Sequence, residues 1–148
     1  MNVDVTTSTV IGRPRPEVFA FAADLDRTAS WYHNITVVEW LTPKPLEVGS
    51  RVTFTASFLG RELTYTYEVR DLVPGERLVM STQDGPFPMV TTYIWEDEAE
   101  NATRMTLRNR GEPSGFTNVT APVMVRAMRR ANAKDLEQLK RLIEAEAS

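Results

Sequence analysis

The side chains of this sequence that are best suited to chemistry are aromatic rings with polar tips. Tyr65, Tyr67, Tyr93 and Trp95 fall at alternate positions of segments that have the composition of β-strands. Because alternate residues of a strand share one face, each pair points to one side of a sheet. A buried phenol or indole needs a hydrogen-bond partner, since leaving it unpaired costs roughly 1–3 kcal/mol. The spacing therefore indicates an interior that holds polar groups as well as apolar ones.

Amides, a hydroxyl and methionines fall on the same inward positions. Flexible thioethers suit a wall that adapts to the shape of a guest molecule, and aromatic faces supply contact area while polar tips fix orientation. The pattern predicts a pocket that holds water or a ligand, with ordinary core packing as the alternative, and Trp31 is expected chiefly to anchor a short helix onto the sheet. The predicted ligand-binding residues are Trp31, Phe54, Phe58, Tyr65, Tyr67, Met89, Thr91, Tyr93, Trp95, Met105, Asn109, Met124, Met128 and Asn132.

Acid–base catalysis has few candidates in this chain. His33 is the single histidine, and histidine titrates near neutral pH, but a lone histidine is more often an exposed loop residue. The carboxylates of Glu68, Asp71, Glu96 and Asp97 lie on outward positions or in turns, so no converging pair is visible. We assign no catalytic residue from the sequence.

The composition excludes several classes of protein. The 148 residues include no Cys and one His, which removes thiolate nucleophiles and Cys- or His-rich metal sites. The net charge of −3 gives no general attraction to nucleic acid. We expect one domain over residues 1–148 without a metal or other cofactor, without stable membrane insertion, and located in the cytoplasm; homodimer formation stays open.

Strands dominate the first two thirds of the chain. A first strand over residues 3–11 precedes two short helices, the first opened by Pro16 and the second capped by Asp24 and running toward Trp31. Six segments of alternating apolar and polar residues follow, and the short turns between them predict antiparallel neighbours. These six segments are 34–42, 50–59, 62–73, 76–83, 87–96 and 102–111. The register at Met80 is ambiguous.

A long amphipathic helix is predicted from about Phe116 to Glu146, at a spacing of 3.6 residues per turn. Pro122 is its start or a kink, and Thr120 a candidate cap. An economical way to bury every apolar face is a twisted sheet that curls around this helix. The apolar stripe consists of Met124, Met128, Asn132, Leu136, Leu139 and Ile143.

The order of these elements resembles the START-like (SRPBCC) helix-grip superfamily, and within it the polyketide cyclase/dehydrase-like proteins. The resemblance covers nearly the whole chain, although each motif alone is short. The residues that carry it are 13–21 with Asp24 and Trp31, then 48–49, 67–69, 74–78, 93–96, 103–104 and 136–140.

The resemblance implies an α+β helix-grip fold: a seven-stranded, curved antiparallel sheet around a long C-terminal helix, with two short helices after the first strand. It also implies a deep apolar cavity for a lipid, sterol, polyketide or plant hormone. The loop over residues 42–49 has a single Gly, so the glycine-rich loop of the plant hormone binders is not expected.

Three functions follow as hypotheses. The leading one is a binding protein for a hydrophobic small molecule. Its rival is an aromatase or cyclase that folds a polyketide-like chain in the same cavity, with Tyr or Asn groups polarising carbonyls. A protein-binding role of the stress or chaperone-associated kind would require an exposed apolar patch, and Thr64, Thr66, Glu68 and Arg70 argue against one on the outer face of the sheet.

Overall fold

A computed structural model describes residues 2–58, 60–84, 88–112 and 121–146 of the chain. Seven strands, two short helices joined by a 3-10 turn over Leu25–Arg27, and one long helix make up these residues. In chain order they are β1 (Val3–Ile11), α1 (Arg15–Ala22), α2 (Thr28–Trp31), β2 (Ile35–Trp40), β3 (Arg51–Phe58), β4 (Arg61–Val73), β5 (Arg77–Asp84), β6 (Met89–Ala99), β7 (Ala102–Gly111) and α3 (Ala121–Glu146).

The strands form one antiparallel sheet in the order β1-β7-β6-β5-β4-β3-β2. All neighbours except β1 and β7 are consecutive in the chain, as the short turns predict. The sheet curves around α3, which packs against β1, α1 and α2. The predicted helix-grip fold of the α+β class is confirmed.

The long helix buries the predicted stripe. All six residues expected on its inner face are buried, and Asp135 is buried beside them. Leu136, Leu139 and Ile143 join the larger apolar core, whereas Met124 and Met128 pack with residues of β1, β4 and β6 in a second cluster. Pro122 lies in the first turn of α3, where a missing N–H is tolerated. The expected helical residues 116–120, including the cap at Thr120, lie outside the described residues.

The two short helical segments begin next to Pro16 and Asp24, as the sequence predicts. Pro16 stands in the first turn of α1, and the side chain of Asp24 accepts a hydrogen bond from the backbone N–H of Asp26 at 3.2 Å. Trp31 on α2 is only 1% exposed and joins the large core. It packs against the ring of Tyr32 at a centroid distance of 4.3 Å. The helices thereby close one end of the curved sheet.

Two strands differ from their predicted bounds by more than one residue. Strand β2 is shorter than the predicted 34–42, and β6 continues to Ala99 because the charged segment after Trp95 pairs with β7 before a two-residue turn. The register that was ambiguous at Met80 is resolved by the structure: Met80 is buried on the same face as Leu78 and pairs with Val69. The neighbouring strand β4 shifts register just beyond this pair, between Val69 and Asp71.

Candidate functional site

A cavity of about 150 Å³ lies between the concave face of the sheet and α3. Most of its wall is apolar, and polar side chains of β6, β7 and α3 form a hydrogen-bonded row within it. A cavity of about this volume holds a body the size of benzene. Its lining residues are Thr28, Tyr32, Asn34, Ile35, Phe54, Ala56, Ser57, Leu63, Tyr65, Tyr67, Met80, Met89, Thr91, Tyr93, Asn109, Met128, Ala131, Asn132 and Asp135.

The structure brings together nine of the fourteen residues selected from the sequence. They come from β3, β4, β6, β7 and α3, and the parity of each strand places them on one side of the sheet. The nine are Phe54, Tyr65, Tyr67, Met89, Thr91, Tyr93, Asn109, Met128 and Asn132. Their grouping around one space is a structural fact, whereas ligand contact by any of them stays a prediction.

Four selected residues are buried elsewhere and do not line the cavity: Trp31, Trp95, Met105 and Met124. Parity identifies the face of a strand but not the position along it, and this is why the expectation is corrected. Trp95 lies four residues beyond Thr91 on β6, where the ring of Phe19 packs edge-on at 5.0 Å. The helix α1 therefore fills the space that would otherwise extend the cavity. The side chain of Phe58 lies outside the described part of the chain.

A row of polar side chains crosses the cavity wall from the sheet to α3. Thr91 Oγ1 donates to Asn109 Oδ1 at 2.7 Å and lies 3.4 Å from the hydroxyl of Tyr67. Asn109 Nδ2 donates in turn to Asn132 Oδ1 at 3.3 Å. The Nδ2 atom of Asn132 is buried and has no hydrogen-bond partner among the described residues. The row therefore ends in an unpaired amide donor on a residue that lines the cavity.

Two phenols form a second polar group. The hydroxyls of Tyr32 and Tyr93 are 2.6 Å apart. Burial raises the pKa of Tyr93, and it raises the pKa of Tyr32 well above its usual range, with a further contribution from the neighbouring Tyr93. Burial likewise raises the pKa of Tyr65 and of Tyr67. All four phenols are thus neutral at physiological pH and act as hydrogen-bonding groups, not as bases.

The third polar group is a histidine–aspartate pair. Asp135 Oδ1 accepts a hydrogen bond from the backbone N–H of His33 at 2.9 Å, and the ring Nδ1 of His33 lies 2.8 Å from the same oxygen. The side chain of Asp135 is 3% exposed and that of His33 is 44% exposed. Burial raises the pKa of Asp135, although the hydrogen bonds from His33 oppose this shift. An ionised Asp135 orients the ring with its Nδ1–H inward.

Sequence reasoning missed this pair. His33 is an exposed residue of the connection between α2 and β2, as expected, but Asp135 was not selected at all. A signal for Asp135 was present, because it follows Asn132 by three residues and precedes Leu139 by four, which places it on the buried stripe of α3. No pattern pairs it with a residue 102 positions earlier in the chain.

A second, outer cavity of about 410 Å³ adjoins the first. Asn34, Ser57 and Ala131 line both cavities, so these three residues lie where a passage between them would run. Beyond the passage the wall includes Arg130 and Lys134, and no carboxylate contributes to it among the described residues. The outer cavity is therefore polar and basic where the inner one is mostly apolar.

The described residues offer no group of three or more His, Asp or Glu side chains that could hold a metal ion. No helix in the same part of the chain is long and apolar enough to cross a membrane. The candidate site therefore consists of the two cavities and their side chains.

The chain was compared with protein families, curated proteins and solved structures. The profile of the family described as polyketide cyclase / dehydrase and lipid transport matches residues 2–144. No curated protein matches the chain by sequence. Among solved structures, protein TTHA0849 from Thermus thermophilus superposes with a TM-score of 0.85 at 19% identity, over 99% of this chain and 100% of that one.

Two further structures share the fold at low identity. The Zhui aromatase/cyclase from a Streptomyces species has a TM-score of 0.83 at 15% identity, over 100% of this chain and 97% of its own. A START superfamily protein from Mycobacterium smegmatis has a TM-score of 0.71 at 14% identity, over 97% and 95%. The likeness in structure supports the fold, and the profile extends over nearly the whole sequence. This chain belongs to the polyketide cyclase / dehydrase and lipid transport family.

Proposed function

We propose that the protein binds a small, mainly apolar molecule that carries a carbonyl oxygen or a similar hydrogen-bond acceptor. The observation that supports this most directly is Asn132 Nδ2, a buried amide donor that has no partner among the described residues and belongs to a residue of the cavity lining. An unpaired buried donor costs roughly 1–3 kcal/mol. A guest that supplies an acceptor removes that cost, so the site favours carbonyl compounds over hydrocarbons.

The volume of the inner cavity restricts the guest. At about 150 Å³ it accommodates one ring, whereas sites for drug-sized ligands are roughly 300–1,000 Å³. A sterol or a polycyclic polyketide exceeds the inner cavity and needs the outer one as well. The methionines Met80, Met89 and Met128 contribute to the inner wall, and their flexible side chains allow some adjustment of its shape.

The test is a comparison of matched ligands. Acetophenone and ethylbenzene have similar size, and only the first offers a carbonyl oxygen. We expect acetophenone to bind and to raise the unfolding temperature with its concentration, as a ligand specific to the native state must, and ethylbenzene to bind about tenfold more weakly. If neither these compounds nor larger aromatic ketones, fatty acids and sterols bind, as measured by calorimetry, the proposed binding function is wrong.

A second candidate function, an aromatase or cyclase, is favoured by the pair His33–Asp135. A neutral His33 with its Nδ1–H held by Asp135 leaves Nε2 as a base. It could take a proton from a carbon between two carbonyls of a poly-β-ketone, after which that carbon attacks another carbonyl of the same chain. The new carbon–carbon bond leaves an alkoxide, which recovers the proton from the imidazolium to give the aldol.

The two functions are distinguished by turnover. Under the cyclase hypothesis, incubation of a poly-β-keto thioester with the protein gives a cyclised product faster than the spontaneous reaction. The variant His33→Gln should then lower this rate about a hundredfold or more while ligand affinity changes little. Binding without any acceleration of cyclisation would leave the binding function and exclude the cyclase for that substrate.

A further inference from the structure

The outer cavity and the surface of α3 beside it hold an excess of positive charge. Between Ala121 and Lys134 the helix carries four basic residues and no acidic one, in a chain with a net charge of −3. All four are exposed, and no salt bridge to any of them is present among the described residues. The four are Arg126, Arg129, Arg130 and Lys134.

This arrangement does not help the helix itself. Arg126, Arg130 and Lys134 are four residues apart in turn, so like charges lie next to each other on one face. Like charges at this spacing destabilise a helix. Two of them, Arg130 and Lys134, line the outer cavity. An anion held there would relieve the repulsion.

Shared wall residues place that charge next to the inner cavity. Ala131 lines both spaces, and Ala127 lines the outer one, so small side chains of α3 stand at the boundary. Asn34 and Ser57 offer polar groups at the same place. A single elongated molecule that occupied both cavities would pass between these residues.

We infer that the ligand is an amphipathic anion, with a ring-sized apolar body in the inner cavity, an acceptor near Asn132, and a terminal carboxylate or phosphate beside Arg130 and Lys134. This inference rests on the proposed binding function and adds the charge of the ligand to it. The carboxylate of Asp135 is hydrogen-bonded to His33. It does not line the outer cavity, where the anion would bind.

The experiment compares charged and neutral forms of one series. The probes are benzoylalkanoates of increasing chain length, their methyl esters, and benzoylalkyl phosphates of matching length. Each is titrated by calorimetry at low and high salt. We expect one chain length at which the acid or the phosphate binds about tenfold more tightly than the ester, and a preference that weakens as salt rises. The tighter binder of the two anions, the carboxylate or the phosphate, identifies the charged group of the ligand.

Variants assign the effect to the two basic residues. The double variant R130Q/K134Q should bind the anion about tenfold more weakly and leave ester affinity unchanged. It should also unfold at a higher temperature without ligand, since it removes the repulsion. The control R129Q/R141Q deletes the same charge from exposed positions of α3 that line neither cavity, and it should retain the preference for the anion.

The outcomes separate this inference from the function on which it rests. If esters bind as tightly as anions, or if both double variants lose the preference equally, the anionic subsite is wrong and the binding function stands. If no member of the series binds, and the ketones, fatty acids and sterols do not bind either, the anionic subsite and the proposed binding function are both wrong.

Discussion

Asp135 Oδ1 accepts the backbone N–H of His33 at 2.9 Å and lies 2.8 Å from the ring Nδ1 of the same residue. One buried carboxylate of α3 thus fixes both the main chain and the side chain of the connection between α2 and β2. Tyr32 and Asn34, on either side of His33, line the inner cavity. The contact therefore positions one edge of the site relative to the long helix.

The pH dependence of stability should report the buried state of Asp135. Burial raises its pKa above the ordinary value of 3.8, so the native state binds this proton more tightly than the unfolded state does. The stabilisation is complete below pH 3.8 and is lost as the pH rises through the raised pKa. We expect the free energy of unfolding of the native protein minus that of Asp135→Asn to fall over this window, as measured by urea unfolding.

Asp4 supplies a control of opposite sign. A hydrogen bond from Arg108 lowers the pKa of Asp4, so its contribution is present above the ordinary carboxyl pKa and is lost as the pH falls through the lowered one. The difference between the native protein and Asp4→Asn should therefore rise with pH. Parallel slopes for the two variants would contradict the assignment of Asp135 as a carboxyl group penalised by burial.

The two phenols of Tyr32 and Tyr93 should be coupled energetically. Replacing either one with Phe leaves the other hydroxyl without its 2.6 Å partner, and we expect each single variant to lose about 1–2 kcal/mol of unfolding free energy. The double variant Y32F/Y93F removes both hydroxyls, so it should lose less than the sum of the two. Strict additivity in urea unfolding would show that the hydroxyls do not interact.

Strand parity could be predicted because it depends on local alternation alone. Thr91 and Tyr93 on β6, and Asn109 on β7, are buried on the face that the alternation indicated. Parity failed to indicate where along a strand the cavity ends, because that depends on how α1 packs. Trp95 shares the face of Thr91, yet Phe19 covers it, and no periodicity in either segment reports this contact.

Contacts between distant segments limited the prediction of the site itself. His33 and Asp135 meet only because α2 packs against α3, and each residue alone has an ordinary sequence context. The sequence thus predicts the faces of the elements, and tertiary packing determines which of those faces enclose space.

The passage between the cavities can be tested by one added side chain. Ala131→Leu places extra atoms where the inner and outer cavities meet, so a long benzoylalkanoate should bind at least about tenfold more weakly. Acetophenone, which needs only the inner cavity, should lose less. Ala133→Leu makes the same change at an exposed position of α3, and it should alter neither affinity in calorimetry. Equal losses for both ligands in Ala131→Leu would mean that Ala131 belongs to the inner wall alone.

The donor of Asn132 should determine the preference for a carbonyl. Asn132→Leu removes the unpartnered Nδ2 and also the acceptor for Asn109 Nδ2. These effects oppose each other, so we expect the free energy of unfolding to change by no more than about 1 kcal/mol. Affinity for acetophenone should fall to that for ethylbenzene, because neither ligand then meets a donor at position 132. Asn101→Leu, in the exposed turn between β6 and β7, is the matched control and should keep the preference of about tenfold. If Asn132→Leu still binds the ketone more tightly than the hydrocarbon by that factor in calorimetry, another group, such as the buried hydroxyl of Thr28, holds the carbonyl oxygen.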